Sequence, residues 1–264
     1  MSYLDTIVAN KREELVALKA QHSESYWEQQ PYFARKCNSM RKSLELSDTG
    51  IISEFKRKSP SKGFIKEDGD PTVIIPGYEA NGASGVSILQ DKKFFAGGYE
   101  DMLAVRSKVN LPLLFKEFIV DEYQLTMAKG CGADIVLLIA SVLSTDECKR
   151  LARKAHELGL ETLLELHENG ESDHIDENID VVGINNRNLK TFEVNLEASI
   201  RLCHEIPDDY LKISESGISQ PETVVRLRKE GFRGFLMGEN FMKTENPPLA
   251  LKQFIEQVQH LQNQ

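Results

Sequence analysis

Glu54 and Lys56 stand two residues apart in "IISEFKRKSPSKG", directly after a pair of isoleucines. If the isoleucines open a β-strand, residues i and i+2 share one face, so this acid and this base point the same way. Asn185 and Arg187 repeat the spacing in "VVGINNRNL". Further apolar runs end in Lys116 ("LPLLFKEFI"), Glu165 ("LETLLELH"), Glu215 and Ser216 ("ISESGI"), and Gly238 and Glu239 ("FLMGEN"). A charge on the buried face of a strand is expensive unless paired, and lysines set against carboxylates are suited to giving and taking protons. One charged residue at a strand end is ordinary rim solvation; so many at equivalent positions exceed what packing needs. Gly217 and Gly238 would let backbone N–H groups approach an anion closely, as in a phosphate cup. Weaker candidates surround these. Lys58 and Lys62 read equally as solvated loop charges. His167, two residues beyond Glu165, either shares its face or anchors its loop. Gln90 and Asp91, ending "GVSILQD", are ambiguous.

The elements that must position these residues recur regularly. Eight β-rich runs begin near residues 51, 85, 111, 133, 160, 181, 210 and 232, each followed by a helical segment. A repeat of about 26 residues is the spacing of βα units, and eight of them predict a single (β/α)8 TIM barrel. Active sites of such barrels lie at the carboxyl ends of the strands, where the candidates stand, and phosphate is often held by the loops after strands seven and eight. "NPPLALKQFIEQV" supplies the eighth helix, with its prolines at the start, where they are tolerated. "ENGESDHIDENI", after the fifth run, is the weakest helix. Residues 1 to about 47 read as helical, with Leu4, Ile7, Val8, Leu15 and Leu18 as one apolar stripe. The expected layout is one domain over 1–264: an N-terminal helical extension over 1–47 and a barrel over 48–264. A doubly wound sheet is the alternative, but no GxGxxG follows a strand.

Composition narrows the function classes. The chain has 264 residues, 41% of them hydrophobic, and a formal net charge of −9. An acidic protein without a long basic run is not expected to bind nucleic acid. No apolar stretch approaches the ~18 residues of a membrane helix, and the opening residues lack the basic-then-apolar order of a signal peptide. The four cysteines, Cys37, Cys131, Cys148 and Cys203, form no CxxC pair and read as reduced thiols of a cytoplasmic protein. The six histidines have no metal-ligand spacing. No metal and no organic cofactor is signalled.

The motifs "IISEFKRKSPSKG", "LLFKEFIV", "LLELH", "GINNRNL", "ISESGI" and "MGENFM", in that order, resemble the indole-3-glycerol phosphate synthase family of tryptophan biosynthesis, over nearly the whole chain. The resemblance implies a small substrate with a carboxylate and a phosphate, 1-(2-carboxyphenylamino)-1-deoxyribulose 5-phosphate, closed to an indole with loss of carbon dioxide and water. It implies Lys116 as general acid, Glu165 as general base, and Lys56 near the substrate carboxylate with Glu54 as its partner. It assigns substrate orientation to Asn185 and Arg187, and a carboxylate contact to Ser59. It places Phe118 and Leu189 around the aromatic ring, Ser216, Gly217, Gly238 and Glu239 in the phosphate cup, and Glu215 in the active site without a definite role. Two positions depart from the pattern: Gln90 replaces an expected threonine, and Glu117 an aspartate. By strand alternation Glu117 points away from Lys116. Other tryptophan-pathway enzymes are conceivable partners.

Clustered cations and burial are expected to lower the pKa of Lys116 toward neutrality. The loop "KRKSPSKG" is expected to be polar and mobile, and to close over substrate. Two other readings remain. One is a different phosphate-binding barrel enzyme, such as phosphoribosylanthranilate isomerase or a Schiff-base aldolase; the isomerase would need a cysteine at a strand end, which is lacking. The other is a non-catalytic barrel that binds a phosphorylated ligand.

Overall fold

The computed structural model describes residues 3–188 and 193–264. Eight parallel strands close into a barrel: β1 (Ile51–Phe55), β2 (Gly85–Leu89), β3 (Leu113–Lys116), β4 (Ile135–Ile139), β5 (Glu161–Leu166), β6 (Val181–Asn185), β7 (Leu211–Glu215) and β8 (Gly234–Met237). β1 pairs with both β2 and β8, which closes the sheet and excludes the doubly wound alternative.

Strand alternation divides the core in two. Ile52, Leu114, Leu137, Leu163, Ile213 and Leu236 point inward and form the barrel's own core. Their neighbours, such as Ile51, Phe115, Val136 and Phe235, point outward and join the larger layer between strands and helices. An inward residue near the carboxyl end of a strand therefore emerges at the top of a packed interior, and its charge must be met there.

The N-terminal extension is three helices rather than one continuous helical run: α1 (Tyr3–Gln21), α2 (Glu24–Glu28) and α3 (Met40–Leu46). Turns occupy the stretch around Pro31, where a proline inside a helix would lose a hydrogen bond. Ser39 restarts the helix by accepting from the Lys42 N–H. α3 plugs the amino-terminal end of the barrel, where Met40 and Leu44 join the inner core. Glu161, at the start of β5, accepts from the Met40 and Arg41 N–H groups at 2.8 and 3.1 Å. α1 lies at the opposite end, with Ile7 and Leu15 buried and Leu4, Val8 and Leu18 half-buried. The apolar stripe is present, and its first turns border the cavity described below.

Between β5 and β6 the expected helix shrinks to a single 3-10 turn, Glu171–His174, entered through Gly170 at φ 94°. The eighth helix, Pro247–Gln262, starts on its prolines with Asn246 capping the Leu249 N–H.

Candidate active site

The carboxyl ends of the strands surround a cavity of about 400 Å³, within the range of ligand pockets, about 300–1,000 Å³. Leu137 and Ile139 of β4 and Leu236 of β8 give it an apolar floor. Glu54, Lys56, Ser59, Lys116, Phe118, Glu165, Asn185, Arg187, Glu215, Ser216, Gly217, Gly238 and Glu239 all line it. Leu189 lies outside the described residues.

The charged groups fall into two linked sets. Lys56 Nζ is 2.7 Å from Glu54 Oε1, as their shared strand face requires. Ser87 of β2 donates to Glu54 Oε2 at 3.4 Å. Across the cavity, Lys116 Nζ donates to Glu165 Oε2 at 2.9 Å and to Glu215 Oε2 at 2.6 Å. Asn185 Nδ2 donates to Glu165 Oε1 at 3.1 Å, while Asn185 Oδ1 accepts from the Arg187 N–H at 3.0 Å. Gly183 of β6 makes room for Glu215: a Cβ there would lie 2.3 Å from Glu215 Oε1. That oxygen is buried and has no hydrogen-bond partner among the described residues.

The electrostatics correct one expectation. Burial alone would lower the Lys116 pKa, but Glu165, Glu215 and Glu54 outweigh it and hold it above the ordinary lysine value. Burial would raise Glu165, yet Lys116, His167 and Asn185 hold it well below the usual carboxylate range. Glu215 goes the other way: burial pushes it up to about 7, with Lys116 only partly opposing. Carboxylates, not cations, dominate the surroundings of this lysine. The sequence shows both the cations and the carboxylates of the rim, but not which of them touch Lys116.

The loops after β7 and β8 form a backbone-lined recess. Ser216 (φ 68°) and Gly217 (φ 71°) are both left-handed, which tightens the turn. A Cβ on Gly217 would also strike Val194. Gly238 also makes room for Glu54, whose Oε1 and Cβ lie 2.7 and 3.0 Å from where a Cβ would stand. The loop after β1 is built on a short ribbon. Lys58–Ser59 and Gly63–Phe64 pair as an antiparallel ribbon, and Arg57 at its base forms a two-pronged ion pair with Asp101 at 2.6 and 2.9 Å. Pro60, Ser61 and Lys62 then reach the cavity.

Some site residues escaped the sequence reading. Tyr3, Leu4 and Ile7 of α1 line the cavity, although an apolar stripe at helical spacing reads only as core. Phe95 lines it too, its ring centroid 6.3 Å from that of Phe118. "KKFF" gave no signal, because it stands on a short helix and not at a strand end. His167 proves to be turned to the site, with Nε2 3.0 Å from Glu165 Oε1. Gln90 folds onto the Ile88 carbonyl at 2.8 Å. Asp91 and Glu117 turn outward to Lys11, at 2.9 and 3.0 Å.

Comparison with known proteins agrees with this geometry. Residues 4–254 match the family described as indole-3-glycerol phosphate synthase. The chain is 50% identical over 256 residues to the indole-3-glycerol phosphate synthase of Bacteroides thetaiotaomicron, covering 97% of this chain and 98% of that one. It is 41% identical over 254 residues to that of Salinibacter ruber, covering 95% and 94%. Among solved structures, the tryptophan synthase A-subunit of Pyrococcus furiosus superposes with a TM-score of 0.61 at 16% identity, over 81% of this chain and 99% of that one. The alpha subunit from Legionella pneumophila gives 0.62 at 13%, over 84% and 98%. At such identities these structures speak for the barrel fold alone.

Proposed function

The chain belongs to the indole-3-glycerol phosphate synthase family, and from that premise we propose how its residues divide the work. It is a carboxy-lyase of tryptophan biosynthesis: it closes 1-(2-carboxyphenylamino)-1-deoxyribulose 5-phosphate to indole-3-glycerol phosphate, releasing carbon dioxide and water. In our reading Lys116 donates a proton to the ketone oxygen as the ring carbon bearing the carboxylate attacks, forming the new carbon–carbon bond. The carboxylate leaves as carbon dioxide, and its bonding electrons return to the ring. The former ketone oxygen, now a hydroxyl, takes a second proton from Lys56 and departs as water, and Glu165 takes the proton whose loss completes the indole double bond.

The observation that carries this division is the seat of Lys116 between two buried carboxylates on the cavity wall. Acid and base are coupled there. A proton leaving Lys116 removes the cation that holds Glu165 low, so Glu165 becomes a stronger base once the acid has acted. Glu215, near 7, balances charge around the lysine. Lys56, held by Glu54, and Ser59 face the substrate carboxylate. Arg187 and Asn185 orient the sugar chain, and Phe118 and Phe95 bracket the ring. The turns at Ser216–Gly217 and Gly238–Glu239 receive the phosphate, with donors from the backbone. The loop after β1 closes the cavity, swinging on the base fixed by Arg57. No helix among the described residues is long and apolar enough to cross a membrane; we place the enzyme in the cytoplasm, where a charged, phosphorylated substrate is retained.

The test is direct turnover. Purified protein mixed with the substrate should generate indole fluorescence, and the Lys116→Met variant should not. Full turnover by a folded Lys116→Met variant would remove Lys116 from the role of acid.

A further inference from the structure

We infer that His167 is a positioning residue for this reaction: it clamps the outer oxygen of Glu165 and supplies the cation that keeps the base ionised after Lys116 has given up its proton. The inference rests on the reading of Glu165 as the base.

His167 follows Glu165 by two residues, so the strand pleat sends both side chains inward although β5 ends at Leu166. The imidazole is buried, with 8% of its side chain exposed, and Nε2 lies 3.0 Å from Glu165 Oε1. Its backbone is fixed from behind: Glu171, in the 3-10 turn after β5, accepts from the His167 N–H at 2.6 Å and from the Glu168 N–H at 3.3 Å. That single turn, standing where a full helix would otherwise follow β5, is thus what anchors the histidine.

Glu165 is held in a divided way. Oε2 accepts from Lys116, and Oε1 accepts from Asn185 and faces His167. Lys116 spends its proton in the reaction; Asn185 and His167 do not. Of these two, only the imidazolium carries charge. Without it, the buried carboxylate would be left with one neutral donor at the moment it must stay ionised to accept a proton from carbon.

The surroundings favour the charged ring. Glu165 on its own strand, Glu171 on the following turn and Glu215 on β7 all act on it, and Lys116 stands on the far oxygen of Glu165. Burial lowers the His167 pKa, but the carboxylates outweigh burial and raise it. The Nε2 contact is close in distance but off the line of a hydrogen bond, and Nδ1 is buried with no partner among the described residues. Contacts of this kind often start misaligned and tighten in the reacting complex. Among the described residues nothing holds Nδ1 against such a rotation.

The experiment compares His167→Leu, His167→Gln and Glu165→Gln in full-length protein, following kcat, KM and the pH profile. His167→Leu should lower kcat about 10- to 100-fold, the scale of a misplaced reacting group, with KM changed less than about twofold. Its acidic limb should move to higher pH, because Glu165 loses a neighbouring cation. His167→Gln, which can reach Oε1 with an amide, should recover part of kcat but keep the displaced limb. A His167→Leu enzyme with wild-type kcat and pH profile overturns the inference, as does one that loses stability while its folded fraction turns over normally. Glu165→Gln separates this from the underlying reading. If it retains activity, the assignment of the base fails. If it is inactive while His167→Leu is unaffected, only the role of His167 fails.

Discussion

The end of β3 holds two lysine–carboxylate clusters back to back. On the inner side Lys116 meets Glu165 and Glu215. On the outer side the next residue, Glu117, joins Asp91 around Lys11 of α1, with Glu14 as a third acid. The chemistry of the two is nearly the same: a buried lysine raised above its usual pKa by acids, and a glutamate that burial pushes up to about 7. The fittings differ. The outer acids are also tied to backbone: Asp91 accepts from the Phe94 N–H at 2.7 Å, and Glu117 from the Phe118 N–H at 2.8 Å. The inner acids are gripped by side chains, and one Glu215 oxygen has no hydrogen-bond partner among the described residues. A charge cluster fastened to backbone and covered by a helix holds the fold together. One fastened to movable side chains at a cavity can change its proton count during a reaction. Perturbed titration alone would not tell them apart.

The largest expected separation comes from removing the two lysines in turn. Lys116→Met should cut kcat by ~10²–10⁴, the usual contribution of general acid catalysis. Lys11→Met should leave kcat per folded molecule within about threefold, yet cost stability on the order of 3–5 kcal/mol, because it strands two buried acids. Steady-state kinetics and urea unfolding on both variants read the two quantities. A well-folded Lys11→Met enzyme as inactive as Lys116→Met would break the comparison and make α1 part of the catalytic machinery.

An intermediate effect is expected from geometry alone. Gly183→Ala puts a methyl group where it would overlap Glu215 Oε1, so Glu215 must shift and carry Lys116 with it. Displacements of about 1 Å at a reacting group can cost ~10²-fold; kcat should fall about 10- to 100-fold with KM nearly constant. An unchanged kcat would show that the inner cluster tolerates movement and need not hold one catalytic geometry.

Much of the inner cluster was legible because barrel topology converts sequence position into location. A polar residue two places from another at the end of an apolar run has one face and one end to occupy, so Glu54 with Lys56 and Asn185 with Arg187 could be placed before any coordinates. The outer cluster was not legible. Lys11 looks like one more solvated lysine on an amphipathic helix, since nothing local tells that Asp91 and Glu117 lie beneath it. The direction of the Lys116 shift was misjudged for the same reason: the cations were visible as a group, but which carboxylates touched which lysine depended on barrel closure. Phe95 and the first turn of α1 reach the cavity through the packing of helices on the rim, and periodicity reports only that they are buried.

The smallest effect lies in the pH dependence of stability. Glu117 is raised from 4.5 to about 7 in the folded protein. Between those values the folded state holds a proton that the unfolded chain has released, so stability must fall as pH rises through this window, by up to about 1.4 kcal/mol per pH unit for one such group. Above about pH 7 this contribution is flat. It is joined at high pH by a loss from Lys11, whose raised pKa gives stability present below the unfolded lysine value and lost as the folded value is passed. Glu215 contributes a slope of the same sign over the same window, so the wild type should show both. Glu117→Gln, an uncharged mimic of the protonated acid, should remove one of them. Saturating product tests the remainder in the Glu117→Gln variant, where position 117, which also borders the cavity, no longer titrates and a ligand alters the surroundings of Glu215. Urea midpoints between pH 5 and 8, with and without product, read both parts. A Glu117→Gln slope equal to wild type would mean that Lys11 already keeps Glu117 ionised at pH 5. A slope in Glu117→Gln that ignores product would place the remaining titration outside the active site.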